Sequence, residues 1–363
     1  MPRAQIKSFN ITILVFLCFL LATSVAMVYS ATHSAEYSSI YSNYYLKQLM
    51  WVLVGLAVMF VVSRISYVIW IELADKIYWI TIVLLLILLI FGRSMRWFHI
   101  GPFTFQPSEL AKITMLFALT RFILDNKGKV DIFHGFLKIS GLMAIPLVLI
   151  IIQPDLGTGL VFIPLFCCLL YIGKVSTRYI VYCLTLLIPA GIASWYFMKD
   201  YQRMRLISFM NPEADPLGSG YSVIQSKIAI GSGGLIGKGF MKGTQSQLNF
   251  IPEHHTDFIF SVMGEELGFL GVMVILLFFF AIIMEGIKIA KHAKDQAGSM
   301  LAAGVVALIT AQLFMNIGMT LGILPVVGVP LPFMSYGGSS MLFSMMLMGV
   351  LLNVHTTIKK FSS

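Results

Sequence analysis

FIFSVMGEELGFLGVMVILLFFFAIIM, residues 258–284, is the stretch whose reading decides the fold. A bilayer core about 30 Å thick takes roughly twenty apolar residues to cross as a helix. This run is long enough, and its only charges are Glu265 and Glu266. Nine further runs of the same kind lie near 11–30, 48–64, 77–92, 107–124, 137–152, 156–173, 177–198, 299–322 and 335–356. The fifth and sixth are split only by Gln153-Pro154-Asp155, which implies a tight helical hairpin. One long hydrophilic stretch, about 199–257, separates the seventh span from the eighth. The expectation is an all-α integral membrane protein, a single polytopic transmembrane domain over 1–363, with a bundle of about ten transmembrane helices.

Composition agrees. Hydrophobic residues make up 58% of the 363 residues and charged residues 11%. Soluble domains carry about 25% charge, so this chain lies well outside that class. The net charge of +9 would raise nucleic acid as a partner in a soluble protein. Here it is explained by the Lys and Arg that collect on the inner face of membrane proteins, so no nucleic acid is expected. Cys18, Cys167, Cys168 and Cys183 lie in apolar runs without C-x-x-C spacing, which argues against disulfides and structural zinc. Arg3 and Lys7 precede the first apolar run, which is longer than a signal-peptide core and reads as an uncleaved span.

Lys and Arg in the short loops set the orientation. Arg3, Lys7, Arg64, Lys76, Arg121, Lys127, Lys129, Lys138, Lys174, Arg178, Lys288, Lys291, Lys294, Lys359 and Lys360 fall on one side. Only Lys47, Arg93 and Arg96 fall in short loops on the other. Both termini are therefore expected in the cytoplasm, and the long loop is extracytoplasmic.

Charge inside a span costs about 2.5–3.5 kcal/mol on insertion scales, so each instance asks for a reason. In FQPSELAK (105–112), Pro107 and Ser108 suit a helix start, with Ser108 as N-cap. Glu109 and Lys112 share a helix face, either as a structural ion pair or as a polar cavity lining. IQPDLGTG (152–159) repeats the grammar, with Asp155 as the capping residue. Both helix starts face outward and would favour an anionic group there.

The long loop carries Lys199, Arg203, Arg205, Lys227, Lys238 and Lys242. Its segment SKIAIGSGGLIGKG invites a phosphate-loop reading and fails it. G-x-x-x-x-G-K-[ST] needs Gly where Ser232 stands and Ser or Thr where Gly239 stands. Ile236 likewise breaks G-x-G-x-x-G. A Gly-rich amphipathic segment lying at the membrane surface is the remaining reading.

FIPEHHTDFIFSVMGEELGF (250–269) is the most informative stretch. Asp257 directly precedes the eighth span. It can N-cap that helix, act as a general base or hold a divalent cation. Glu265 and Glu266 lie about 12 Å deeper along a straight helix, where an acid should pair or line a cavity. In NIGMTLGILPVVGVPLPFMSYGGSSML (316–342), Gln312, Asn316 and Thr320 share a face suited to helix–helix hydrogen bonds. SYGGSS (335–340), beginning at Ser335, offers N–H groups and hydroxyls to an anion, or is a plain turn. Arg93, Arg96, the two helix starts, the basic loop, SYGGSS and Asp257 all fall on one side. A ligand with an anionic head and a lipid tail satisfies them together.

Ten motifs across almost the whole chain carry a resemblance. They are KQLMW (47–51), RWFHIG (96–101), QPSELAK, QPDLGTG, YQRMR (201–205), AIGSGGLIGKG (229–239), GTQS (243–246), PEHHTDFIF (252–260), GEELG (264–268) and LPFMSYGGSS (331–340). The chain resembles the SEDS (shape, elongation, division, sporulation) family, and GILPVVGVPLP (322–332) resembles its rod-shape branch. The resemblance implies an inverting peptidoglycan glycosyltransferase of the bacterial cytoplasmic membrane. Such an enzyme polymerises lipid II into glycan strands at the outer face during elongation and shape maintenance. It implies Asp257 as the catalytic acid, as base or as ligand of a divalent cation, Mg2+ or Mn2+. Glu109 and Lys112 match the family's buried pair. Asp155, Arg205 and Lys227 match other polar positions of its motifs. Arg205 and Lys227 are the expected pyrophosphate contacts, with Arg96, Lys238 and Ser335 as further substrate-binding candidates. It also implies membrane lipid around the spans, and as partners a class B penicillin-binding protein transpeptidase and rod-complex proteins. Two other classes compete: a transporter that flips lipid II, and a non-catalytic scaffold for wall synthases. No inverted repeat supports transport, and a scaffold does not explain why Asp257 and the basic loop meet at the boundary.

Overall fold

The computed structural model describes residues 10–33, 43–91, 96–100, 103–198, 200–211 and 220–359. Arg3, Lys7, Arg93, Lys199 and Lys360 lie outside the described residues. The order is α1 (Ile11–Thr32), α2 (Tyr44–Arg64), α3 (Tyr67–Glu72), α4 (Ala74–Phe91), β1 (Phe98–Ile100), β2 (Phe103–Phe105), α5 (Pro107–Asp125), α6 (Phe133–Ile152) and α7 (Leu156–Ile172). There follow α8 (Thr177–Phe197), α9 (Asp200–Met210), α10 (Tyr221–Gly233), α11 (Thr244–Gln247), α12 (Ile259–Lys291), α13 (Gln296–Thr320) and α14 (Gly338–Lys359). Each of the ten expected spans has its helix: α1, α2, α4 to α8 and α12 to α14. Seven of these are long and apolar enough to cross a membrane by length and composition, and α7 is a shorter apolar helix. Large apolar side chains such as Phe91, Phe133, Trp79 and Phe280 stand exposed. That surface is costly in water and natural against lipid. The chain is a multi-pass membrane protein.

The bundle is built around α13 and α14, whose apolar windows are 61% and 72% buried, against 28% for α6 and α12. The most extensive helix contact joins α14 to α2. Asn353 of α14 clamps the far end of α2, accepting from the Tyr67 amide at 2.9 Å and donating to the Ser63 carbonyl at 2.8 Å.

Two features depart from the sequence reading. The described residues within 199–257 include three helices, α9, α10 and α11. A small antiparallel ribbon, β1 with β2 in the register His99 opposite Thr104, precedes α5. Three residues per strand are too few for periodicity to reveal.

The decisive element is α12. As a straight helix its 33 residues would run about 50 Å, far beyond a bilayer core. It breaks at Gly268, whose φ of 64° is open to glycine and strained for other residues. Residues 259–266 are buried in protein, whereas Phe269 and Leu270 face outward. A break frees backbone groups, and within a membrane these need protein partners. The Gly-rich segment supplies them. Lys238 N donates to Glu265 O at 3.0 Å and Gly239 N to Glu266 O at 3.0 Å. Phe269 N donates to Gly234 O at 2.9 Å and Leu270 N to Leu235 O at 3.0 Å. So GSGGLIGKG is not a free surface segment. Its glycines let two backbones touch, because a Cβ on Gly233, Gly237 or Gly268 would collide with the opposing main chain.

Gly237→Ala meets both that collision and a φ of 85°. It should destabilise by about 1–3 kcal/mol or more. Gly231→Ala, whose Cβ meets nothing within 4 Å, serves as the tolerated control. Thermal unfolding of the purified protein in detergent reads the difference.

Candidate active site around Asp257

Asp257 sits in the turn that feeds α12. It does not cap the helix: Phe258 is the N-cap residue, and no side chain closes the cap. Nor does a donor among the described residues hydrogen-bond its carboxylate. The turn is held by its backbone instead. Asn316 of α13 donates one amide to Asp257 O and to Val329 O, each at 2.8 Å. Ser335 accepts from Leu331 N and donates to Thr256 O, both at 2.7 Å. Tyr336 N donates to His255 O at 3.0 Å. Two places remote from it in sequence, Asn316 and the Ser335–Tyr336 pair, thus fix the turn while leaving its carboxylate unused. Gly328, with φ at 70°, keeps space in front of it, since a Cβ there would stand 3.1 Å from Asp257 Oδ2.

The surroundings set the charge. Burial pushes the Asp257 carboxyl up to about 6 from an ordinary 3.8. Glu253 and Asp155 push the same way, and the guanidinium groups of Arg205 and Arg96 oppose them. His255 is held down at about 4 by burial and by His254, so it is neutral at pH 7. Its ring lies beside the stacked pair of Tyr44 and Tyr336, tilted to both.

Arg96 and Arg205 reach this site by different routes. The β1–β2 ribbon follows directly on Arg96, which donates to Gln153 O at 3.3 Å and to Pro154 O. Arg205 comes from α9 and meets Val326 O at 3.4 Å, beside a small cleft lined by Pro154, Gln202 and Val327. Gly157 lets the α6–α7 turn press onto Val327 O. The hairpin, α9 and the loop 325–329 therefore converge next to Asp257.

The other candidates have different placements. Asp155 caps α7 through Thr158 N at 3.3 Å and also accepts from Gln106 Nε2 at 3.0 Å and Ser108 Oγ at 2.9 Å. This welds the two Gln-Pro helix starts together. Ser108 is not the cap of α5: Gln106 is, with Pro107 in the first turn. Glu109 and Lys112 form a buried ion pair, with the ammonium 2.7 Å from each carboxylate oxygen. Lys238 is bound to Glu265 at 2.7 Å and to Thr244 Oγ1 at 2.8 Å. Glu265 also accepts from the Gln245 and Ser246 amides at 2.9 and 3.2 Å, and Ser30 donates to Glu266 at 2.6 Å. Both acids therefore pair with protein groups, and Lys238 is committed to that pairing rather than turned to the Asp257 turn. Ser335 is 3% exposed and spent on the turn itself. Lys227 of α10 stands exposed against Gly322, with no hydrogen-bond or ion-pair partner among the described residues.

Sequence reading missed Asn316 as the residue that sets Asp257. Its signal was present, a buried amide on a polar face of α13, but it was read as a helix–helix contact. No group of three or more His, Cys, Asp or Glu that could hold a metal occurs among the described residues. A cation here would have the Asp257 carboxylate and little else from the protein. That set fits Mg2+, which takes one or two carboxylates and fills its shell with water and substrate phosphate oxygens.

The chain is 40% identical over 360 residues to the peptidoglycan glycosyltransferase MrdB of Escherichia coli (strain K12), covering 97% of this chain and 94% of that protein. It is similar to a chain of a peptidoglycan synthase complex solved to examine coordination of polymerization and crosslinking. That match has TM-score 0.80 and 28% identity, over 97% of this chain and 98% of that one. It is also similar to a mutant of the rod shape determining protein RodA of Thermus thermophilus. There the TM-score is 0.67 and the identity 26%, over 93% of this chain and 96% of that one. Residues 10–360 match FTSW_RODA_SPOVE, and the chain belongs to this family of cell cycle proteins.

Proposed function

We propose that this chain is a peptidoglycan glycosyltransferase that polymerises lipid II at the outer face of the bacterial cytoplasmic membrane, with both termini in the cytoplasm, during elongation and shape maintenance. The observation that carries the reading is the Asp257 carboxylate. It stands on a turn fixed by backbone bonds, receives no donor among the described residues, is raised to about 6 and is flanked by Arg96 and Arg205. A general base should titrate near the working pH, and this group does.

The 4-hydroxyl of one sugar attacks the anomeric carbon of another. The new C–O bond forms as the bond to undecaprenyl pyrophosphate breaks, and the hydroxyl proton passes to Asp257. A single displacement turns the α link into a β link. Arg205, Arg96 and Lys227 offer positive charge to the pyrophosphate. A divalent cation, Mg2+ or Mn2+, held by Asp257 would neutralise charge on the leaving pyrophosphate. The kinship with a synthase complex supports a class B penicillin-binding protein transpeptidase as partner, within a larger rod complex. A transporter is a weaker reading. Carriers use broken helices to line a binding site, whereas the break in α12 is filled by the backbone of 234–239.

Asp257→Ala and Asp257→Asn should abolish glycan ladders from lipid II and divalent cation, assayed with the transpeptidase present. Ladders at full rate in Asp257→Ala would remove that residue from the chemistry. Activity should rise with pH through about 6, because the working form is the carboxylate. Arg205→Ala removes a charge that favours that form, so the rising limb should move to higher pH. A limb that stays put would show that the guanidinium does not act on Asp257. Asn316→Ala releases the turn without touching substrate. It should lower kcat roughly tenfold, with KM changed far less, as expected for about 1.4 kcal/mol of lost positioning.

A further inference from the structure

One face of α2 meets the segment that leads into α14. Tyr44, Gln48, Trp51 and Gly55 recur at helical spacing, and each contacts a residue within 335–345. Tyr44 stacks on Tyr336, with ring centroids 4.8 Å apart. Trp51 packs where Gly338 has no side chain, since a Cβ there would collide with the indole. Gly55 makes the same kind of room for Met345, whose Cγ would stand 2.9 Å from a Cβ. Gln48 is the polar member of the face. It is fully buried, and its amide nitrogen donates to Ser335 O at 3.3 Å and to Ser24 Oγ of α1 at 2.8 Å. The Ser24 hydroxyl donates its own hydrogen to Met334 O at 2.9 Å. One amide and one hydroxyl therefore hold two successive carbonyls.

The other end of the same peptide holds the Asp257 turn. Ser335 O and Tyr336 N belong to one peptide unit, which is planar and stiff. Gln48 binds its carbonyl end, and its N–H end donates to His255 O at 3.0 Å. The Ser335 hydroxyl donates to Thr256 O at 2.7 Å. Without the Gln48 bond that peptide can rotate, and rotation withdraws its N–H from His255. Ser339 ties the segment on a further side, where its Oγ donates to Thr104 O at 2.9 Å and accepts from Gln106 N at 3.2 Å. The segment thus links α1, α2 and the β1–β2 ribbon to the Asp257 turn. We infer that Gln48 is a positioning residue for Asp257, acting through the Ser335–Tyr336 peptide without touching substrate. The inference rests on the reading of Asp257 as the reacting carboxylate. Asn316 holds the turn at Asp257 O, and Gln48 acts on it two residues earlier, so both clamps bear on one short piece of chain.

Gln48→Met keeps the length of the side chain and removes both donated bonds. Asn353→Ala is the control, because it loosens the far end of the same α2–α14 contact and leaves 334–336 alone. The purified variants are assayed on lipid II with the transpeptidase present. Gln48→Met should lower kcat roughly tenfold and leave KM within about twofold. Ser24→Ala, which removes the Met334 bond, should lower kcat about threefold and carries the test if Gln48→Met does not fold. Asn353→Ala should keep the wild-type kcat even where its unfolding temperature falls as far. The double variant Gln48→Met/Asn316→Ala should lose less than the product of the two single losses, since both release one turn. Hydrogen exchange gives a readout apart from activity. Amides of 254–258 should exchange faster in Gln48→Met and at the wild-type rate in Asn353→Ala. A wild type that makes no glycan, with that exchange pattern present, rejects the polymerase reading and keeps the clamp. An unchanged kcat in Gln48→Met and Ser24→Ala overturns the inference. So does an equal loss in Asn353→Ala, a double variant whose losses simply multiply, or unchanged exchange at 254–258.

Discussion

The pairing of the broken α12 with the Gly-rich segment is the constraint on which the rest depends. A helix can be interrupted in a membrane only where protein satisfies the freed N–H and C=O groups. Here residues 234–239 do so, through bonds to Glu265, Glu266, Phe269 and Leu270. The same contact ties α10 and the segment after it to the bundle, so α10 packs on α12 and α13. The first piece of α12 can then stay inside protein, with Asp257 at its head, while residues 269–291 are free to cross lipid. An interrupted helix is thus what allows an ionisable residue to sit at the boundary on a rigid support.

The buried charges follow the same logic of complete pairing. Glu265 closes α11 and binds Lys238, Glu266 takes the Ser30 hydroxyl, and Glu109 holds Lys112. A buried pair contributes little net stability, but a buried charge without its partner costs about 3–5 kcal/mol. These pairs therefore act as registry marks: any slip of α5 or α12 leaves charge unpaired. Asp257 is the exception within this scheme. Its backbone carbonyl is bound by Asn316, and its carboxylate receives no donor among the described residues. Against the full pairing of Glu109, Glu265 and Glu266, that contrast supports the proposed role of Asp257 in the chemistry.

Much of this was legible in the sequence, for identifiable reasons. The spans follow from run length, and each of the ten expected runs has a helix, because lipid makes apolar length a strong signal. Asp257 stood out because it directly precedes the eighth span, at the membrane boundary. Backbone-level events were hidden. The break at Gly268 needs one glycine with positive φ and a partner segment about thirty residues earlier, which no local period records. The role of Asn316 was hidden too, because a buried amide reads alike whether it binds a helix or a distant turn. The candidates Lys238 and Ser335 looked like anion ligands because their own partners, Glu265 and Thr256, are remote or masked by the turn.

The convergence on Asp257 also explains why the polar motifs are spread along the whole chain. Arg96 is delivered by a two-strand ribbon, Asp155 and Gln106 weld two helix starts, Arg205 arrives on α9, and Ser335 and Asn316 clamp from the last two spans. A lipid-anchored substrate approaches from the side, so the site has to be assembled from elements around the rim of the bundle rather than from one loop above it. Positive charge is concentrated on two rigidly placed guanidinium groups instead of a flexible lysine patch. Arg suits this because its planar fork is held by backbone carbonyls, as at Gln153 and Val326, while its charge still acts on the carboxylate beyond. The result is a carboxylate held near neutrality by opposing influences, burial against two cations, in the turn that leads into α12.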